Sequence, residues 1–422
     1  MSEADRLNQI LAESAPLVAQ CLSGLGRRAA FPKGIPYQSA QAAGTTLNAT
    51  MGQVTDGFGD PLALPELAGS VGDLDQKTCF LYSPQSGHRA LRDAWAARQR
   101  SRSGQCQVVT STPFVTHGLT QAVSIVAEMF ADPETPILVP APFWENYHLL
   151  FGLRIGASIT PVPLFSERAF NLEGLRSALA RISGQKAILV LNFPQNPTGY
   201  TPTTSEGEAI VSAIAEHPGP LVVLLDDAYE GMVYGDGLLG RSLFWDLLER
   251  TDPKRVLPIR ADGTTKELFF YSARLGFITH GLTGAAEEAL ESKMKCLGRG
   301  CVGSPPGPSQ ALTLQALSAE GLEGSIHARL DLLRRRYSIL EQRLLEVKSP
   351  LLSPFPFNSG SFALLQVSPS VSAESLRKRL IDFSAGVIAI PEVNAIRIAY
   401  CSMSEESIPL LVDRIEEALG EL

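Results

Sequence analysis

Four chemically distinct groups follow one another along this chain. They are an amide in Asn196-Pro197-Thr198-Gly199, a carboxylate and a phenol in Asp226-Asp227-Ala228-Tyr229, an amine in Gly263-Thr264-Thr265-Lys266-Glu267-Leu268, and a guanidinium in Ser272-Ala273-Arg274-Leu275-Gly276. In this order they are what a protein needs to hold pyridoxal 5'-phosphate (PLP) covalently. Lys266 is the candidate for the amine that forms a Schiff base with the cofactor aldehyde and later carries a proton between the two carbons that exchange an amino group. The pyridine nitrogen acts as an electron sink only while protonated, which calls for a buried carboxylate facing it. Asp226 closes the apolar run Leu221-Val222-Val223-Leu224-Leu225, which reads as a buried parallel strand that delivers the carboxylate at its C-terminal end. Tyr229 in the same loop, and Asn196 after the strand-like Ala187-Ile188-Leu189-Val190-Leu191, could both donate to the phenolate oxygen of the cofactor. Arg274 offers the phosphate a cationic fork, and Gly118-Leu119-Thr120, opening a helical stretch after Phe114-Val115-Thr116, offers free backbone amides and a hydroxyl.

From about Leu47 to the C-terminus the chain resembles the fold type I PLP enzymes, and within them the class I/II aminotransferases of the aspartate aminotransferase superfamily. The resemblance implies a PLP-dependent transaminase that exchanges an amino group between an amino acid and a 2-oxo acid by ping-pong chemistry. It also implies a homodimer with shared active sites, and further site residues. Trp144, in Pro142-Phe143-Trp144-Glu145-Asn146-Tyr147, matches the aromatic that stacks on the pyridine ring, and Tyr82, in Tyr82-Ser83-Pro84-Gln85-Ser86-Gly87, matches a tyrosine that reaches the phosphate of the neighbouring subunit. Arg397, in Ile396-Arg397-Ile398-Ala399-Tyr400, matches the arginine that forks onto the substrate α-carboxylate, and Gly52 matches a glycine whose backbone faces the substrate. Arg299 lies six residues before Pro305-Pro306, where aspartate-type members place an arginine that grips a distal carboxylate across the dimer. One position departs from the pattern: the family's serine three residues before the lysine is Gly263 here, so Thr264 or Thr265 must stand in, and Thr265 is the candidate. The Lys266-Glu267-Leu268-Phe269-Phe270 continuation is also unusual and points to a divergent subgroup.

Taken singly, each residue has a plainer explanation. Asn-Pro-Thr-Gly is a good turn, Asp226 a cap, Lys266 and Arg274 solvated charges, Trp144 core, and Arg397 the exposed face of an alternating strand. The order and the local spacing of the whole set are what favour the cofactor. A lyase or decarboxylase of the same fold shares that set and stays open as an alternative. So does a non-catalytic PLP-sensing module, although the ~45 non-basic residues ahead of the family-like region leave no room for a DNA-binding domain.

These groups need a scaffold that brings strand ends together. Short apolar runs (Ile137 to Val139, Ala187 to Leu191, Leu221 to Leu225, Phe269 to Tyr271) alternate with helical stretches such as Gly118 to Phe130 and Ser205 to His217. That alternation predicts an α/β fold with a mainly parallel central sheet covered by helices, and ligands at the strands' C-terminal ends. After the stiff Ser304-Pro305-Pro306-Gly307-Pro308, a stripe of Ile326, Leu330, Leu333, Tyr337, Leu340 and Leu344 predicts a long helix, followed by strands near Ser361 to Val367 and Ala395 to Tyr400 and a closing amphipathic helix. The expected division is a large PLP-binding domain over residues 48–306 and a smaller α+β domain from residues 1–47 and 307–422. At the start, Leu7, Ile10 and Leu11, then Leu17, Val18, Cys21 and Leu22, form a helical stripe broken at Pro16, and Tyr37 to Thr46 reads as an extended connector.

With 45% hydrophobic and 19% charged residues in 422, the chain can bury a substantial core, and a net charge of −8 gives no basic footprint for nucleic acid. No apolar run approaches the ~18 residues of a membrane span, and Met1-Ser2-Glu3-Ala4-Asp5 lacks the cationic start of a signal peptide, so a cytoplasmic location is expected. Cys21, Cys79, Cys106, Cys296, Cys301 and Cys401 show no paired-ligand spacing, and no metal site is expected.

Overall fold

Runs of Val, Ile and Leu without polar alternation are stable as strands only when covered on both faces, and here they line up in one sheet. The computed structural model describes residues 1–14, 19, 22, 24–28, 34–68, 74, 78, 80–104 and 106–422. Its seven-stranded sheet is built from β1 (Phe114–Thr116), β2 (Ile137–Ala141), β3 (Ile159–Pro163), β4 (Ala187–Leu191), β5 (Leu221–Asp226), β6 (Val256–Gly263) and β7 (Gly276–His280). The spatial order is β1-β7-β6-β5-β4-β2-β3; β7 runs antiparallel to both its neighbours and every other pairing is parallel. Alternate residues of β4 feed opposite cores: Leu189 and Leu191 pack with Leu175, Ile210 and Ile214, whereas Ile188 and Val190 pack with Val123, Val126 and Phe151. Because the strands are parallel, Leu191, Asp226 and Gly263 all end at the same edge, and the loops that follow them share one space.

The second unit is a four-stranded antiparallel sheet in the order Leu352–Pro354, Ala363–Val367, Ala395–Ile398, Ile388–Ile390, covered by helices Ala373–Asp382 and Ser407–Gly420. Helix Leu322–Leu345 joins the two cores. Leu322, Ile326 and Leu333 pack with Trp95 and Phe277, and Tyr337, Leu340 and Leu344 pack in the second unit. The early part of the chain reaches the second unit too: Leu47–Asn48 pairs with Ala385–Gly386, and the Gln38 amide exchanges hydrogen bonds of 3.1 and 2.7 Å with the Ala389 backbone.

Some elements differ from the sequence expectations. Phe269 to Tyr271 is not a strand, because the chain must reverse between β6 and the antiparallel β7. Thr264–Glu267 forms one helical turn, Phe269 adopts φ +50°, and Tyr271–Ala273 is a 3-10 turn, with Leu268 and Phe269 buried as core side chains. Tyr37 to Thr46 is not extended throughout, since Ile35–Gln41 is a helix with proline in its first turn, where a missing N–H costs nothing. Tyr400 leaves the strand for a 3-10 turn over Tyr400–Ser402. The first helix is Glu3–Ser14; Pro16, Leu17, Val18, Cys21 and Cys79 lie outside the described residues. Among the described residues no helix is long and apolar enough to cross a membrane, and no group of three or more His, Cys, Asp or Glu could hold a metal ion.

Candidate active site

The loops after β4, β5 and β6 meet helix Gly118–Phe130 and Trp144 around a solvent-open cleft with a cavity of about 90 Å³. Leu119, Thr120, Trp144, Asn196, Asp226, Tyr229, Thr265, Lys266 and Arg274 all line it, together with Asn192 and Ala228. The Lys266 amine stands 5.0 Å from the centre of the Tyr229 ring. Burial lowers its pKa to about 8, against the pull of Asp226 and with the help of Arg274.

Asp226 is 4% exposed. Its Oδ2 accepts a 2.6 Å hydrogen bond from the Tyr147 hydroxyl, whereas its buried Oδ1 has no partner. Burial raises the carboxyl above the usual range, and the Tyr147 bond and Lys266 pull it back. The Asn192 amide donates to the Asp226 carbonyl at 2.6 Å, and its oxygen accepts the Asn196 N–H at 2.9 Å, so one side chain ties the ends of β4 and β5 together. Burial pushes the Tyr229 phenol up, Arg397 opposes this, and Asn196 hydrogen-bonds to it. Tyr147 and Asn192 were not singled out from the sequence. Each carried a signal nonetheless: Tyr147 lies one turn beyond Trp144, where its N–H bonds the Trp144 carbonyl at 3.1 Å, and Asn192 is the first polar residue after β4.

At the other end of the cleft, Gly118 has φ +73°, and a Cβ there would sit 2.7 Å from the Arg274 Nη2, so a glycine is needed for the guanidinium to reach the start of the helix. Arg274 is itself in the left-handed region at φ +51° and donates to the Tyr271 carbonyl at 3.0 Å. The absence of serine at position 263 has a steric cause. A Cβ on Gly263 would lie 2.6 Å from the Leu275 carbonyl oxygen and 2.8 Å from the Gly276 Cα. The Thr264 hydroxyl turns away to the Leu275 carbonyl, at 3.3 Å, while Thr265 lines the cleft.

Arg397 reaches in from the second unit. It is buried, not on an exposed strand face, and lies 4.3 Å over the Phe362 ring. Its polar partners are neutral: Nη1 donates to the Asn196 Oδ1 at 3.1 Å and Nη2 to the Thr50 carbonyl at 3.0 Å, while Nε has none. Burial depresses its pKa, which is the mark of a cation without a paired anion. Gly52 is packed against the same ring, since a Cβ there would come within 2.6 Å of the Phe362 Cζ. The single chain does not bring Tyr82 or Arg299 to this cleft: Tyr82 is 95% exposed, and Arg299 is exposed near the end of helix Ala285–Val302.

This sheet topology, with the smaller sheet unit beside it and the cleft at its strand ends, is the fold type I architecture. The chain belongs to the aminotransferase class I and II family, whose family model matches residues 47–415, and it is a transaminase. An arginine–pyruvate transaminase of Pseudomonas aeruginosa is 29% identical over 305 residues, covering 71% of this chain and 71% of that protein. An aspartate/prephenate aminotransferase of Thermus thermophilus is 26% identical over 350 residues, covering 80% and 83%. Among solved structures, an aminotransferase from Anaerococcus prevotii has the same fold, with a TM-score of 0.82 at 20% identity over 94% of this chain and 98% of that one.

Proposed function

We propose that this transaminase uses pyridoxal 5'-phosphate, held through Lys266, to pass an amino group from an amino acid to a 2-oxo acid in two half-reactions at one site. The observation that carries this is the convergence, in one cleft, of a half-buried amine, a buried carboxylate with one free oxygen, and a guanidinium at a helix start. The donor set fits the cofactor. The free Asp226 Oδ1 is an unmet acceptor suited to a ring N–H; Arg274, the amides of Leu119 and Thr120 and the Thr120 and Thr265 hydroxyls suit a phosphate; and Trp144 offers a flat wall. When bound, the cofactor supplies an electron sink that loosens the proton on the substrate α-carbon.

The residues then have distinct tasks. Lys266 Nζ, with a pKa of about 8, is neutral in a useful fraction of molecules near neutral pH, so it can hold the cofactor aldehyde and afterwards take the proton from the α-carbon. Asp226, through its free Oδ1, would keep the ring nitrogen protonated, and Tyr229 and Asn196 would donate to the cofactor's phenolic oxygen. Arg397 forks onto the α-carboxylate, with Gly52 alongside, and a carboxylate there would complete a buried cation whose present partners are neutral. We take residues 48–306 as the large domain and 1–47 with 307–422 as the small one, so that Arg397 closes the cleft from the small domain. The same reading includes a cytoplasmic homodimer in which Tyr82 and Arg299 serve the neighbouring site; the exposure of Phe80, Leu81 and Tyr82 in one short segment supports it.

Borohydride reduction of the PLP-loaded protein, followed by peptide mapping, should place the cofactor mass on Lys266. An amino acid added alone should remove the visible band and release one 2-oxo acid per site, and a 2-oxo acid should restore the band. Release of carbon dioxide or ammonia instead would select the decarboxylase or lyase reading, and a band inert to every amino acid would select the sensing module.

A further inference from the structure

Behind the cleft lies a buried set of charges that the site chemistry does not use. Asp226 is register-paired with Ala261, so Arg260 and Asp262, which flank Ala261 on β6, point to the opposite face of the sheet. Arg260 is 1% exposed. It meets the Asp227 carboxylate at 3.1 Å, Asp262 at 3.0 Å, and Glu230. Asp227 is the residue after Asp226 and Glu230 the residue after Tyr229, so one guanidinium holds both ends of the loop that carries two cofactor-facing groups. Asp262 is in turn held by the Trp95 Nε1 at 3.0 Å and the Gln99 amide at 2.9 Å, both on helix Arg89–Ser101. The residue after Lys266 reaches the same helix and its C-cap: Glu267, with its side chain 8% exposed, pairs with Arg98 and, at 2.8 Å, with Arg102.

We propose that Arg260 and Glu267 are positioning residues of the active site, fixing from behind the cleft the two turns that carry Asp226 and Lys266. The proposal rests on the roles given above to those two side chains. The geometry favours positioning over bulk stability because every carboxylate that Arg260 touches lies within four residues of Asp226 or Lys266. The carboxylates tie the segments that carry Asp226 and Lys266 to strand β6 and to helix Arg89–Ser101. Of the carboxylates around Arg260 only Glu230 accepts a hydrogen bond from it, while Asp227 and Asp262 are held by charge at close range; the broad, planar guanidinium faces all three at once, which a compact ammonium does not match.

The test uses the PLP-loaded protein and the variants Arg260→Lys and Glu267→Gln. A merely structural role would lower the melting temperature of these variants and leave the loaded site intact. A positioning role should lower kcat by about tenfold or more, because small displacements of reacting groups are costly, while KM for the amino acid stays within about threefold. The visible circular dichroism of the bound cofactor, which reports its orientation against the protein, should fall by about half or more. Less stable variants whose kcat and visible dichroism stay within about twofold of wild type would overturn the proposal. Should Arg260→Lys fail to fold, the isosteric Glu267→Gln decides by the same criteria. A wild-type protein that takes up no PLP would remove the cofactor reading and this inference with it; a loaded wild type matched by its variants would remove this inference alone.

Discussion

Tyr147→Phe isolates one hydrogen bond. Tyr147 is 1% exposed, and its hydroxyl holds the Asp226 Oδ2 at 2.6 Å. The ring neighbours, Trp144 at 5.5 Å and Phe151 at 6.4 Å, contact carbon atoms that the substitution keeps, so packing should survive. A hydrogen bond to a charged group contributes roughly 1.5–3 kcal/mol, which corresponds to about one to two pKa units. The Asp226 carboxyl, already raised by burial, should therefore rise further and become a poorer anionic partner for the cofactor ring. Converted to rate, the same energy predicts a fall in kcat of about ten- to a hundredfold with little change in KM. The effect on stability has a definite sign. With its folded pKa above the ordinary carboxylate range, Asp226 contributes stability that is present at low pH and is lost as pH rises through the folded pKa. Tyr147→Phe moves that folded pKa up, so in the cofactor-free protein the variant's deficit should be largest near neutral pH and shrink on acidification. Steady-state kinetics and thermal melts at about pH 5 and about pH 7.5 decide the matter. A kcat within about twofold of wild type, with a melting deficit equal at both pH values, would refute the coupling between Tyr147 and Asp226.

Lys266→Ala should abolish turnover and the borohydride-trapped adduct, and in the wild type the rate of PLP uptake should climb as pH rises through about 8, where the amine loses its proton; an adduct that persists in the variant would refute the assignment. Arg397→Lys should lose the bidentate fork and weaken amino-acid binding by about 2–3 kcal/mol while PLP binding survives, as read by spectral titration. Arg299→Ala should cut kcat/KM for dicarboxylates by about tenfold or more and leave neutral amino acids nearly unchanged; a uniform loss, or none, would show that other residues build the distal pocket. Light scattering should find at least a dimer, and a fully active monomer would remove Tyr82 from the site.

Much of this architecture is written in short stretches of sequence. A strand such as Leu221 to Asp226 is legible because an apolar run ending in a carboxylate has one stable environment in an α/β sheet, with its chain buried and its end at the cleft. The same logic places Asn196 and the start of helix Gly118–Phe130 after strands, whereas Lys266 and Arg274 are legible from the chemistry a cofactor aldehyde and phosphate require; all of them line one cleft or stand at its edge. What sequence could not supply were the relations between distant segments. Tyr147 and Asp226 are 79 positions apart, and Arg397 and Asn196 are 201 apart; no local pattern says that these pairs touch. Over Phe269 to Tyr271 apolar composition does not distinguish a buried strand from a buried turn, and the antiparallel return to β7 makes it a turn. Likewise Gly263 was only a puzzle in sequence, and it took the 2.6 Å approach of the Leu275 carbonyl to show why no side chain fits. Local propensity and hydrophobic pattern act within a few residues of each position, whereas burial, partner choice and pKa depend on what the completed fold packs against it. That is why the sequence by itself determined the groups that follow its strands into the cleft, and only the tertiary structure decided which further residues join them and which are left without partners inside it.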